Sequence, residues 1–165
     1  MQEMVIYGVS FDLVGKSPIV LLKTAAGNRF LPIWIGRAEA EAILVRLQGA
    51  STPRPLTHDL FTIVLGQLEA KVEKISVTEL RDNTFYAVIT LAREGDGDIE
   101  IDSRPSDAIA LAVRADAPIF AADAVIEEAA IEFAGAEPDE DDIVARFKEF
   151  LDSVTPDEFA GGEES

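Results

Sequence analysis

The chain has no cysteine in its 165 residues, which excludes disulfides, thiolate metal sites and thiol nucleophiles and is compatible with a reducing cytosol. It has no apolar run near the roughly 18 residues that a membrane span requires. Its opening, Met1-Gln2-Glu3-Met4, lacks the basic start and apolar stretch of a signal peptide. These absences lead us to expect a soluble, cytoplasmic protein with no membrane partner. Several catalytic signatures are missing too: the GxxxxGK[ST] phosphate loop, the GxGxxG dinucleotide turn, the HExxH helix and the GxSxG elbow. ATPase, dehydrogenase, zinc protease and α/β-hydrolase chemistry therefore lose their usual support.

A chain of this length suits one domain with an ordinary core, burying roughly two-thirds of its unfolded surface. The net charge of −17 opposes nucleic-acid binding, because phosphates attract lysine and arginine and repel carboxylates. The charge is unevenly placed, however. Residues 1–120 carry 12 basic and 16 acidic side chains, a net of −4, whereas residues 121–165 carry 2 basic and 15 acidic, a net of −13.

A shift of 66 positions lays residues 5–48 over 71–114 with matching apolar pattern. Ile6 and Val9 fall on Val72 and Ile75, Ile33 and Ile35 on Ile99 and Ile101, and Glu41-Ala42-Ile43 on Asp107-Ala108-Ile109. The expected fold class is α+β, a single compact domain of duplicated strand-hairpin-helix halves over residues 1–134. In each half a turn rich in Gly and Asn or Asp, around Gly27-Asn28 and Gly95-Asp96-Gly97, is expected to use positive φ. A helix is predicted after Gly36 from the spacing of Ala40, Ile43, Leu44 and Leu47, ending at Gly49. Two more are predicted near residues 57–70, with Leu60, Phe61, Val64, Leu65 and Leu68 inward, and near residues 123–133. Residues 135–165 read as an acidic linker, an amphipathic helix carrying Ile143, Phe147, Phe150, Leu151 and Val154, and a disordered tail.

Two segments concentrate the chemically specific residues: Arg54-Pro55-Leu56-Thr57-His58-Asp59 and Asp102-Ser103-Arg104-Pro105-Ser106-Asp107. Each has a plain structural explanation. Thr57 can cap a helix with Asp59 in its first turn, and Pro105 suits a helix start where Ser103 or Ser106 can bond backbone N–H groups. Arg104 can pair with Asp102 or Asp107. Against that, the one histidine, several carboxylates and two arginines at helix starts also match the needs of phosphodiester hydrolysis. Carboxylates hold a divalent cation, arginine grips phosphate in a fork, and a neutral imidazole acts as base or ligand. Glu39 either points into a cleft or sits as a solvated helix residue. Trp34 projects opposite Ile33 and Ile35, either to stack a base or to fill a core or an interface.

Leu31-Pro32-Ile33-Trp34-Ile35-Gly36 with Glu39-Ala40, then Arg54-Pro55-Leu56-Thr57-His58-Asp59-Leu60, Phe85-Tyr86-Ala87, and Arg104-Pro105-Ser106-Asp107-Ala108-Ile109 together resemble the bifunctional nuclease family, in that family's order and over roughly residues 4–134. The resemblance implies a compact α+β domain that often self-associates, with nuclease activity on DNA and RNA. It gives no secure mechanism.

The resulting expectation is a nuclease assisted by Mg²⁺ or Mn²⁺, working as a homodimer or higher homo-oligomer on DNA or RNA. His58, Asp59, Asp107 and Glu39 would be catalytic, Asp59, Asp102 and Asp107 would hold metal, and Arg54 and Arg104 would bind phosphate. The alternative is a non-catalytic oligomeric module for a protein or an anionic small molecule, in which the same polar residues form a salt-bridge network.

Overall fold

Strands form where β-branched and aromatic residues gather, and each of the two long strand runs is followed by helix. The computed structural model describes residues 1–10 and 17–132, together with Ala145 and Glu149. The expectations for Phe133, the acidic linker, the apolar stripe and the end of the chain lie outside the described residues. A first antiparallel meander, β1 (Gln2–Ser10), β2 (Ile19–Thr24) and β3 (Arg29–Trp34), leads into α1 (Arg37–Leu47) and α2 (Thr57–Gln67). A second, β4 (Ala70–Arg81), β5 (Thr84–Arg93) and β6 (Gly97–Ser103), leads into α3 (Pro105–Ala115), β7 (Ile119–Ala121), α4 (Asp123–Ala129) and β8 (Ile131–Glu132). The 66-residue offset carries the first residues of β2, β3 and α1 to within two residues of the starts of β5, β6 and α3.

All eight strands join one mixed sheet in the order β6-β5-β4-β7-β1-β2-β3-β8. The short β7 stitches the meanders together, parallel to β4 and antiparallel to β1. Among the described residues the domain is thus α+β, with four helices on an eight-stranded sheet. The core runs through Val20, Leu22, Leu31, Ile33, Ile43, Ile75, Val77, Ile109 and Ile126, contributed by both meanders and by α1, α3 and α4. None of the helices in the described residues is long and apolar enough to cross a membrane.

Several local expectations need correction. Neither Gly27 nor Asn28 has positive φ. Thr24 closes that turn instead, its Oγ1 accepting the Arg29 backbone N–H at 3.3 Å. Positive φ does occur at Gly95 (88°) and Gly97 (71°), and also at Asp82 (50°) and Asn83 (58°), the pair that turns β4 into β5. Helix α4 stops at Ala129, and the chain resumes as β8 beside β3. In α1, Ala40 and Ile43 are buried as expected, but Leu47 is exposed.

The largest correction concerns α2. Leu65 is its only buried residue, while Leu60, Phe61, Ile63 and Val64, with Leu68 just beyond, are 43–58% exposed. The face turned toward the domain carries His58, Thr62 and Leu65, at helical spacing i, i+4 and i+7. Polar contacts to α3 chose this face, so the apolar periodicity marks the outward side. Leu56, not Thr57, is the N-cap, and its backbone N–H donates to Asp59 Oδ2 at 2.9 Å.

Candidate functional site

Helix α3 starts sharply because Arg104 is extended and Pro105 fixes the first helical φ. No side-chain cap bond forms there, and Ser103 Oγ donates to the Arg104 carbonyl instead. Asp107 therefore sits in the first turn, facing α2. Its Oδ1 lies 2.9 Å from His58 Nε2, and its Oδ2 accepts Arg104 Nε–H at 2.8 Å. Arg104 Nη2 then donates to Glu39 Oε1 at 3.1 Å. Four side chains from α1, α2 and the start of α3 thus form one continuous line: His58, Asp107, Arg104, Glu39.

Glu39 takes this pose because Gly36 has no side chain; a Cβ at that position would overlap the Glu39 carboxylate. Burial pushes the Asp107 carboxyl upward, but hydrogen bonds from Arg104 and His58 and the charge of Arg104 outweigh it and hold the group below the usual aspartate range. The Arg104 guanidinium is held even more firmly protonated, chiefly by its bond to Asp107. The His58 and Glu39 side chains are 15% and 18% exposed, and Arg104 is 66% exposed. These residues line an open cleft of about 590 Å³, floored by Ala38, Ala42, Val45 and Leu56.

The remaining candidates lie elsewhere. Asp59 turns away from the cleft, and its Oδ1 accepts Arg114 Nε–H at 2.6 Å. The Leu56 backbone N–H and then Arg114 hold the Asp59 carboxyl below its ordinary pKa. The Arg114 side chain is only 4% exposed, and it also donates to the carbonyls of Ala110 (2.8 Å) and Ala42 (3.0 Å), so one guanidinium ties α1, α2 and α3 together. Arg54 lines a neighbouring cavity of about 500 Å³ with Asp59 and Arg114, not the cleft of Arg104. Asp102 is exposed on β6, opposite Val88. The three aspartates thus do not converge, and among the described residues no group of three or more His, Asp or Glu is placed to share a metal ion.

Every residue of the cleft falls within residues 20–134, the stretch that matches the bifunctional nuclease domain model. The chain belongs to the bifunctional nuclease domain family. Uncharacterized proteins from two strains of Mycobacterium tuberculosis are 38% identical to it over 165 residues, which covers 96% of this chain and 98% of theirs. Bifunctional nuclease 1 of Oryza sativa subsp. indica is 28% identical over 110 residues, covering 66% of this chain and 33% of the plant protein. The bifunctional nuclease domain is therefore what the chain shares with about a third of the rice protein.

Two contributors to this region escaped the sequence reading. Arg114 lies seven residues after Asp107 on the same helix, and that spacing places both on one face. A lone arginine in a stretch of alanine, leucine and valine was the available signal, since a cation there needs a partner. Glu41, which also lines the cleft, is four residues before Val45 and shares its side of α1.

Proposed function

We propose that the chain is a nuclease that hydrolyses phosphodiester bonds in DNA or RNA, with His58 as general base and Arg104 as the phosphate-binding group. The observation that supports this most is the hydrogen-bonded line from His58 through Asp107 and Arg104 to Glu39 at the cleft of a bifunctional nuclease domain. Asp107, as a carboxylate, accepts the His58 Nε2–H, which leaves the lone pair on Nδ1 to take a proton from water. The water oxygen bonds to phosphorus as the bridging P–O bond breaks, and the departing oxygen takes a proton from solvent. Asp107 stabilises the imidazolium that forms, as the carboxylate does in any His–carboxylate pair. Arg104 uses two of its five N–H donors on Asp107 and Glu39, leaving three for phosphate oxygens.

The expected Mg²⁺ or Mn²⁺ fits these side chains poorly. Asp59 is committed to Arg114, Asp102 lies outside the cleft, and the carboxylates of Asp107 and Glu39 already face Arg104. His58, Asp107 and Arg104 carry the hydrolysis without a metal ion. The test is cleavage of labelled single-stranded and duplex DNA and RNA, with Mg²⁺, Mn²⁺ or EDTA, by wild type, His58→Gln and Asp107→Asn purified identically. Loss of a general base lowers the rate by about 10² or more. Equal cleavage by folded variants would refute the roles.

A second reading has an observation of its own. The same bonds join α1, α2 and α3, as a network that holds a non-catalytic module together also would. In that case Arg104→Ala and Asp107→Ala would unfold the protein with no activity to lose. We further propose that the strand-hairpin-helix halves are a duplicated unit and that the chain self-associates as a homodimer or higher homo-oligomer. The exposed apolar face of α2 supports the latter, because contiguous apolar surface of this kind marks interaction sites.

A further inference from the structure

Beside the His58 cleft lies a second cavity of about 310 Å³, and Arg104 lines both. Its walls come from three places: Trp34 and Gly36 at the end of β3, Asn83 and Phe85 at the β4–β5 turn, and Arg104 and Ser106 at the start of α3. Four strands separate β3 from β5 in the sheet order, so the sheet is curled enough to bring its two hairpins together at this end. The result combines two half-buried aromatic rings with an amide at a turn tip, a hydroxyl and a guanidinium. Nothing in the proposed hydrolysis uses Trp34, Phe85 or Asn83.

We infer that this cavity is a base-binding subsite: it receives one unpaired nucleobase of a single-stranded nucleic acid while Arg104 holds the adjoining phosphate at the His58 cleft. The inference rests on the phosphodiesterase reading of that cleft and specifies its substrate. Aromatic faces stack on the π-face of any base, and an amide that can both donate and accept suits a base edge. Both features are unavailable to a base inside a duplex, whose faces are stacked and whose edge is paired. Arg104 supplies the link, since one guanidinium borders both spaces and a nucleotide places its base and phosphate on opposite sides of one sugar.

Trp34 is the only tryptophan in the chain, so its fluorescence reports this cavity alone. The His58→Gln protein, which lacks the proposed base, is titrated with short oligo-dT and oligo-dA strands, with an abasic strand of equal length, and with a blunt duplex, while wild type is assayed for cleavage of the same strands with Mg²⁺, Mn²⁺ or EDTA. Tryptophan emission and the anisotropy of an end label are followed together, and gels confirm that strands stay intact. Single strands should quench Trp34 over the concentrations that raise anisotropy, and the abasic strand and the duplex should not quench. Trp34→Ala should weaken single-strand binding about tenfold, and Trp34→Phe should retain most of it. Strand binding that leaves Trp34 emission unchanged, or quenching by the duplex, overturns the subsite and leaves the nuclease reading standing. Quenching without cleavage in any metal condition supports the subsite and sinks the nuclease. If neither signal moves with any strand, the subsite is overturned together with nucleic-acid binding.

Discussion

Replacing Arg114 with methionine removes one guanidinium while nearly keeping its volume, and the consequences can be worked out from its partners. Asp59 loses a charge-assisted bond of 2.6 Å, and the Ala42 carbonyl loses a donor at 3.0 Å across the α1–α3 contact. Orphaning one partner of a fully buried pair costs about 3–5 kcal/mol. Here the Asp59 side chain is 33% exposed, so water recovers part of that, and about 3 kcal/mol is the expected loss. For a chain of this size that corresponds to a fall in Tm of roughly 6–12 °C. The effect should depend on pH. The folded-state pKa of Asp59 is depressed, so its contribution is present above the unfolded value of about 3.9 and disappears as pH falls through the lower folded value. Urea denaturation of wild type and Arg114→Met at pH 7 and again below pH 4 should therefore show a gap that narrows in acid. Asp59→Asn should cost less on the Arg114→Met background than on wild type, because both remove the same bond. A gap under about 1 kcal/mol at pH 7, or one that does not narrow in acid, would refute the structural role given to this pair.

Two further outcomes bear on function. Arg104→Gln removes the guanidinium that borders both cavities, so the slope of log affinity against log salt for single-stranded DNA should fall by about one; an unchanged slope would place the phosphate contact elsewhere. Leu60→Glu combined with Val64→Lys puts charge on the outward face of α2, and sedimentation velocity should show a shift from oligomer to monomer. Wild type that is already monomeric at high concentration would remove the proposed role of that face.

Local chemistry made much of this molecule legible from its residues. The Arg104-Pro105 start of α3 and the left-handed Gly49 (66°) after α1 follow from backbone preferences that act over a few residues. The alternation of Ile33, Trp34 and Ile35 is reflected in their burial, since both isoleucines are in the core and Trp34 is half-buried. The α2 face was misread for an equally physical reason. Periodicity tells which residues share a side, but burial depends on what stands opposite. There the N-terminal turn of α3 offers Asp107, and its last turn offers Arg114 to the polar side of α2.

The sequence by itself determined the element types, the repeated order of strands and helices, and the residues able to do acid–base and phosphate chemistry. Those properties depend on side-chain identity and on neighbours a few positions away. Only the tertiary structure decided which of them meet. His58 lies 49 positions from Asp107, Arg104 lies 65 from Glu39, and Asp59 lies 55 from Arg114. Hydrogen bonds reach about 3 Å, so these partnerships exist only once a three-residue β7 has joined two meanders and drawn α1, α2 and α3 onto one face. That packing is why Asp107 belongs to the cleft and Asp59, at the same third position of its own helix, does not.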